Sequence, residues 1–171
     1  MNKINNYLLG IGESLSDVEK DIEKATTIID AIRKVRRRLW VLGNGGSMAI
    51  AQHFAQDLLK MNGVITQAIN CPSILTAFTN DESFENSFSL PLQIMMRDGD
   101  GILIFSCSGS SRNYKSVVRI KRGPIISIVG TDGGFLKTAS DICIHVKSDN
   151  YQVCETGFSV VADLIGMGLQ K

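Results

Sequence analysis

Residues 39–59, LWVLGNGGSMAIAQHFAQDLL, hold the transition on which the fold turns. The apolar run at Leu39–Leu42 breaks at Gly43-Asn44-Gly45-Gly46, and from Ser47 the apolar residues return with helical spacing. Strand, glycine loop and helix thus follow within one short segment. Glycines allow positive φ and let backbone N–H groups come close to a ligand, while a helix start offers unpaired donors to an anion. An anion is the natural guest of such a loop. A dinucleotide fingerprint would need a third glycine where Met48 stands and an acidic residue where Asn70 and Cys71 stand. A nucleotide P-loop would need a lysine, and none occurs between Gly43 and Ser47. Both nucleotide classes are therefore disfavoured.

Outward from this segment, short apolar runs (VITQAI, GILIFS, PIISIVG, DICIHV) alternate with helical stretches beginning at Ser47, Ser73, Ser111, Gly134 and near Val153. This alternation predicts an α/β fold, a mostly parallel sheet with helices on both faces and ligands at the carboxyl ends of its strands. Upstream, from Ile4 to Val35, apolar residues recur at three and four (Leu8, Leu15, Val18, Ile22, Ile28, Ile29, Ile32). One or two amphipathic helices are expected there, with Gly10 and Gly12 as the break. We expect a single domain over 1–171, with a helical segment at 1–38 and an α/β core at 39–171.

The 171 residues are 44% hydrophobic and 20% charged, enough for one globular domain with a substantial core. A net charge of +1 supplies no global field for nucleic acid. The basic run Arg33, Lys34, Arg36, Arg37, Arg38 closes a helical pattern and reads as a solvated helix end. No secretory h-region opens the chain and no apolar stretch approaches membrane-spanning length, so neither membrane nor nucleic-acid partners are expected and the location should be cytoplasmic. Cys71, Cys107, Cys143 and Cys154 form no CxxC pair, which suits reduced thiols.

A second loop, Ser106-Cys107-Ser108-Gly109-Ser110-Ser111, also follows a buried run and precedes a helical one. Its hydroxyls and backbone donors together suit a terminal phosphate, although Ser111 alone would read as an N-cap. Two lysine-free cradles in one small sheet make a sugar phosphate a reasonable ligand.

GNGGSMAIAQHFAQDL, LTAFTNDESFENSF, DGDGILIFSCSGSSRN and IVGTDGG resemble the sugar isomerase (SIS) domain. Within it they are most similar to the phosphoheptose isomerase branch, which interconverts sedoheptulose 7-phosphate and a heptose 7-phosphate. The resemblance runs from about Ile4 to the C-terminus. It implies that Asn44, Gly45, Gly46 and Ser47 line the sugar with Asn80 and Asp81, and that Ser106, Cys107, Ser108 and Ser111 grip the phosphate. Cys107 stands where the family usually has threonine.

The resemblance also implies an enediol isomerisation needing an acid and a base near the sugar carbonyl. His53 and Asp57, four apart on one helix face, match the family's histidine and glutamate. His145 has no partner signal and reads as structural. The family's last helix carries a glutamine and, eight residues on, an acid-base histidine, both able to help bind zinc. If Glu155 matches the glutamate after that glutamine, Cys154 and Ala162 occupy those positions. Three arrangements then stand open: Glu155 or Gln152 acts with Asp57 as base, a partner chain supplies the missing group, or the domain binds a phosphosugar without turnover and acts through protein contacts. Certain relatives lacking these groups regulate replication initiation by binding. No cofactor is required by these residues; for zinc, the candidates are His53, Asp57 and Cys154, and the plainer reading of Cys154 is a small buried side chain. Family members are commonly homotetramers, which fits a stripe of Leu8, Leu15 and Ile22 in need of a partner surface.

Overall fold

The computed structural model describes residues 2–170. Over these residues the elements run α1 (Lys3–Ser14), α2 (Glu19–Lys34), β1 (Arg38–Gly43), α3 (Gly46–Asn62), β2 (Ile65–Ala68), α4 (Pro72–Asp81), α5 (Ser89–Met95), β3 (Gly101–Ser106), α6 (Arg112–Arg119), β4 (Ile125–Val129), α7 (Leu136–Ala139), β5 (Ile142–His145) and α8 (Tyr151–Gly168). Each apolar run identified above forms a strand, and the strands pair in parallel in the order β2-β1-β3-β4-β5.

Side chains of a strand alternate between faces, so each strand feeds two cores. Leu39, Val41, Leu103, Phe105, Ile126 and Ile128 pack with α2, α3 and α8. Trp40, Leu42, Ile102, Ile104 and Ile125 pack on the other side with Phe88, Leu92, Tyr114 and Leu136. Full burial of each such side chain contributes roughly 1.5–3 kcal/mol. The run-like hydrophobicity of the central strands follows from this double coverage.

The N-terminal segment breaks elsewhere than expected. Gly10 and Gly12 lie inside α1, and the chain turns only after Ser14, whose hydroxyl donates to the Ile11 carbonyl at 2.8 Å. A helical glycine costs only about 1 kcal/mol, and Gly10 lies close to Val153 of α8, where tertiary packing offsets that cost. Ile22 is buried in its own chain's core and Leu15 packs at its margin, so of the expected partner-seeking stripe only Leu8 stays exposed. Helix α8 starts at Tyr151, ahead of the expected Val153, because the Asn150 carboxamide accepts from the N–H groups of Gln152 and Val153.

The order of strands places a reversal beside β1. From β1 the chain crosses to β2 on one side and returns to β3 on the other. Loops leaving β1 and β3 therefore diverge and leave a crevice at their carboxyl ends.

Candidate active site at the ends of β1 and β3

Gly43 pairs with Phe105 in the β1–β3 ladder, so the two glycine- and serine-bearing loops emerge side by side. Between them lies a cavity of about 320 Å³. Its walls include Asn44, Gly45, Gly46 and Ser47 from the first loop, Ser106, Cys107, Ser108 and Ser111 from the second, and Tyr151 and Glu155 from α8.

The first loop owes its shape to two glycines. Gly45, at φ 54°, caps α3 and accepts from the Met48 N–H at 3.0 Å. At Gly43 any added side-chain carbon would strike the backbone of Ser47 and Met48. Asn44 is held by a reciprocal amide pair with Asn113, at 3.0 and 3.2 Å, and the buried Asn113 also donates to the Ser87 hydroxyl at 3.4 Å. Asn113 escaped the sequence reading because an asparagine one residue inside a helix carries no signal of a long-range partner.

In the second loop Ser106 is buried and its hydroxyl oxygen accepts from Gly109 N–H at 3.1 Å, which fixes the turn. Gly109 sits at φ 59°, with its Cα against the backbone of Gly133 and Gly134 in the loop after β4. Ser111 is the N-cap residue of α6, yet its side chain makes no capping hydrogen bond. Its hydroxyl is left to face the cavity, which the N-cap reading did not foresee.

Glu155 reaches the same cavity from α8. A side-chain carbon built on Gly46 would lie 2.8 Å from Glu155 Cδ, so the absence of one there is what admits the carboxylate. Burial pushes the Cys107 thiol up to about 11, with the neighbouring Cys154 and Glu155 acting in the same direction and a Ser47 hydrogen bond opposing them. Cys107 is thus a neutral thiol at pH 7. Burial likewise raises Tyr114 above its ordinary range, and its hydroxyl donates to the Phe105 carbonyl at 3.3 Å.

The remaining sequence candidates lie outside this cavity. His53 Nε2 and Asp57 Oδ2 lie 3.3 Å apart on α3, with the His53 side chain 71% exposed. Because α3 starts in the cradle and runs away from it at 1.5 Å per residue, Asp57 lies about 16 Å along the axis from Gly46. Asp57 instead lines a cleft of about 270 Å³ between α3 and α8, and Ala162 lines it too. Asn80 and Asp81 are exposed at the end of α4, hydrogen-bonded to each other at 2.8 Å. Cys154 is buried and donates to the Ser148 carbonyl at 3.1 Å, a structural thiol. Among the described residues no three His, Cys, Asp or Glu side chains gather as a metal site. His145 Nε2 bonds the Thr131 carbonyl at 2.7 Å and steadies the loop after β4.

Known proteins supply the comparison. No profile of a protein family matches the chain. A phosphoheptose isomerase of Akkermansia muciniphila is 34% identical over 158 residues, covering 85% of this chain and 84% of that protein. One from Geobacter metallireducens is 35% identical over 154 residues, covering 82% of each. Among solved structures, the chain matches a phosphoheptose isomerase from Francisella tularensis at a TM-score of 0.90 and 23% identity, covering 99% of this chain and 98% of that one. The one from Neisseria gonorrhoeae gives 0.88 at 24% identity, covering 97% and 94%. These two likenesses bear on the fold, which is that of the SIS domain.

Proposed function

This chain belongs to the phosphoheptose isomerase family, and from that premise we propose that it interconverts sedoheptulose 7-phosphate and a heptose 7-phosphate through an enediol. The observation that carries the reading is the convergence of both anion-binding loops and the Glu155 carboxylate on one cavity.

In this assignment Ser108, Ser111 and the backbone N–H groups opening α6 take the phosphate, with Ser106 and Cys107 as the floor. Asn44, Gly45, Gly46 and Ser47 hold the sugar hydroxyls. A phosphate dianion and a carboxylate repel, so the phosphate sits at the serine end and the reacting carbons lie toward Glu155. Glu155 takes a proton from C1 of the ketose, leaving an enediol, and returns it to C2. A second group must move the proton between O1 and O2. The His53–Asp57 pair, remote from its own cradle, serves that role for a neighbouring copy, as Asn80 and Asp81 serve its sugar. No step is assigned to zinc.

The same reading makes the chain one SIS domain in a cytoplasmic homotetramer. Its support is the exposed apolar Ile4, Leu8 and Leu9 on α1 and Leu59 and Met61 on α3, next to the His53–Asp57 pair, together with the free state of all four thiols.

The test is Glu155→Gln, read by deuterium entering C1 of sedoheptulose 7-phosphate and C2 of the aldose formed from it. Exchange falls at least ~100-fold while the sugar still binds. Exchange at the parent rate would remove Glu155 from the mechanism and pass the base to Asp57.

A further inference from the structure

Both strands that end at the cradle begin at a second, unrelated concavity. Arg38 opens β1 and Gly101 opens β3, and at this amino-terminal end of the sheet lies a cavity of about 190 Å³. Arg36, Arg37, Arg38 and Arg97 line it, with Asp100 as the acidic group in its wall. The chain's net charge of +1 makes four guanidinium groups in one pocket a local concentration with no global counterpart.

These arginines differ from their sequence neighbours in having no carboxylate. Arg33 and Lys34 are both paired with Asp30. Among the described residues no ion pair involves Arg36, Arg37, Arg38 or Arg97. Asp100 is buried, and its oxygens accept from the N–H groups of Arg38 and Arg97, each at 3.0 Å, and from Trp40 Nε1 at 3.1 Å. Three neutral donors hold it in the wall, and its single charge offsets only one of the four cations. Asp98, next in sequence to Arg97, is exposed and does not line the cavity.

The pocket is also pre-shaped. Arg36 adopts φ 54°, turning the chain after α2 so that three consecutive arginines reach the amino-terminal end of the sheet. The Arg37 stem packs over Gly99. The Arg38 guanidinium lies 4.8 Å from the Trp40 ring centroid, and its Nε is buried with no hydrogen-bond partner. A buried donor without an acceptor is costly, and a phosphate oxygen is a group able to satisfy it. Four like charges in a shared concavity add mutual repulsion that an anion relieves.

We infer that this pocket binds a small phosphate-bearing anion, gripped by guanidinium forks, at the end of the sheet opposite the sugar site. Guanidinium matches phosphate oxygens two at a time, which suits a diphosphate-sized group. An extended nucleic acid is disfavoured because the chain's net charge of +1 supplies no wider basic field around the pit.

Inorganic pyrophosphate is the probe, titrated calorimetrically into Ser108→Ala/Ser111→Ala protein so that the sugar cradle is silenced. One site remains, its affinity falls with added salt, and Arg37→Ala with Arg97→Ala weakens it at least tenfold. The Arg37→Lys/Arg97→Lys variant keeps the charge, guards against a folding defect in the alanine pair, and binds more weakly than the parent through loss of the forks. Pyrophosphate affinity unchanged by the alanine pair overturns the assignment. So does binding of a 12-nucleotide single strand to protein that ignores pyrophosphate. Neither outcome touches the isomerase reading, whose residues lie at the other end of the strands.

Discussion

Cys107 shows how much a single side chain can carry. The thiol lies in the floor of the cradle, and burial keeps it protonated, with its pKa about 11 against 9.0 for an ordinary cysteine. A thiol is a weak donor, whereas a hydroxyl in its place can donate to a phosphate oxygen. Cys107→Thr is therefore expected to tighten sugar-phosphate binding by about 1 kcal/mol, or fivefold, in calorimetric titration. The folded state binds this proton more tightly than the unfolded chain does. The resulting stability is complete below pH 9 and lost as pH rises toward about 11, so Cys107→Ala flattens the fall of Tm across that window. Conversely, Ser108→Ala with Ser111→Ala removes two donors to a charged group and weakens binding by at least about tenfold per hydroxyl. Equal affinity in the double variant would place the phosphate elsewhere. Ser108 and Ser111 were legible in the sequence as members of a cluster following a strand. Asn113 was not, because its value lies in meeting Asn44 from 69 residues away.

At the scale of elements, the alternation of apolar runs and helical spacing identified every strand, since burial on both faces leaves a continuous apolar signature. Helix starts and the first interhelical turn were less legible. Packing of α1 on α8 at Gly10 outweighed the helix-breaking tendency read there, and a side-chain cap at Asn150 set the start of α8. The glycines of the second cradle were legible as a loop, but their reason is tertiary. Gly109 abuts the loop after β4, and a methyl group there would meet Gly133 and Gly134 while holding a positive φ. Overpacking and the left-handed conformation together cost about 2–4 kcal/mol, so Gly109→Ala lowers Tm by about 5–15 °C. Gly46→Ala behaves differently because it displaces only the flexible end of Glu155. Its Tm stays near the parent value while isomerisation falls, and a large thermal shift would show that Gly46 is structural instead.

Across the whole molecule, topology assembles the site and separates it from the residues singled out on α3. The reversal of connection beside β1 opens the crevice, and α8 returns Glu155 to it from the far end of the chain. The geometry of α3 carries His53 out of that crevice to an exposed position and Asp57 to the cleft between α3 and α8. Their spacing on the helix was readable; their distance from the cradle depended on the helix direction. The proposed tetramer would reunite the two sets, so sedimentation is expected to give four copies at micromolar concentration, and Leu8→Glu on α1 to shift the population toward smaller species. A parent protein that sediments as a monomer and still isomerises would exclude His53 and Asp57 from the reaction.

Isomerase chemistry in this cradle requires that the wild-type chain move a C1 proton of sedoheptulose 7-phosphate to C2 of the aldose. Incubation in deuterated buffer, followed by NMR with and without added zinc, reads this at once. Deuterium entering C1 of the ketose and C2 of a newly formed aldose is the predicted result. Saturable binding of the sugar without exchange under either condition would contradict the assignment of isomerase chemistry to this cradle.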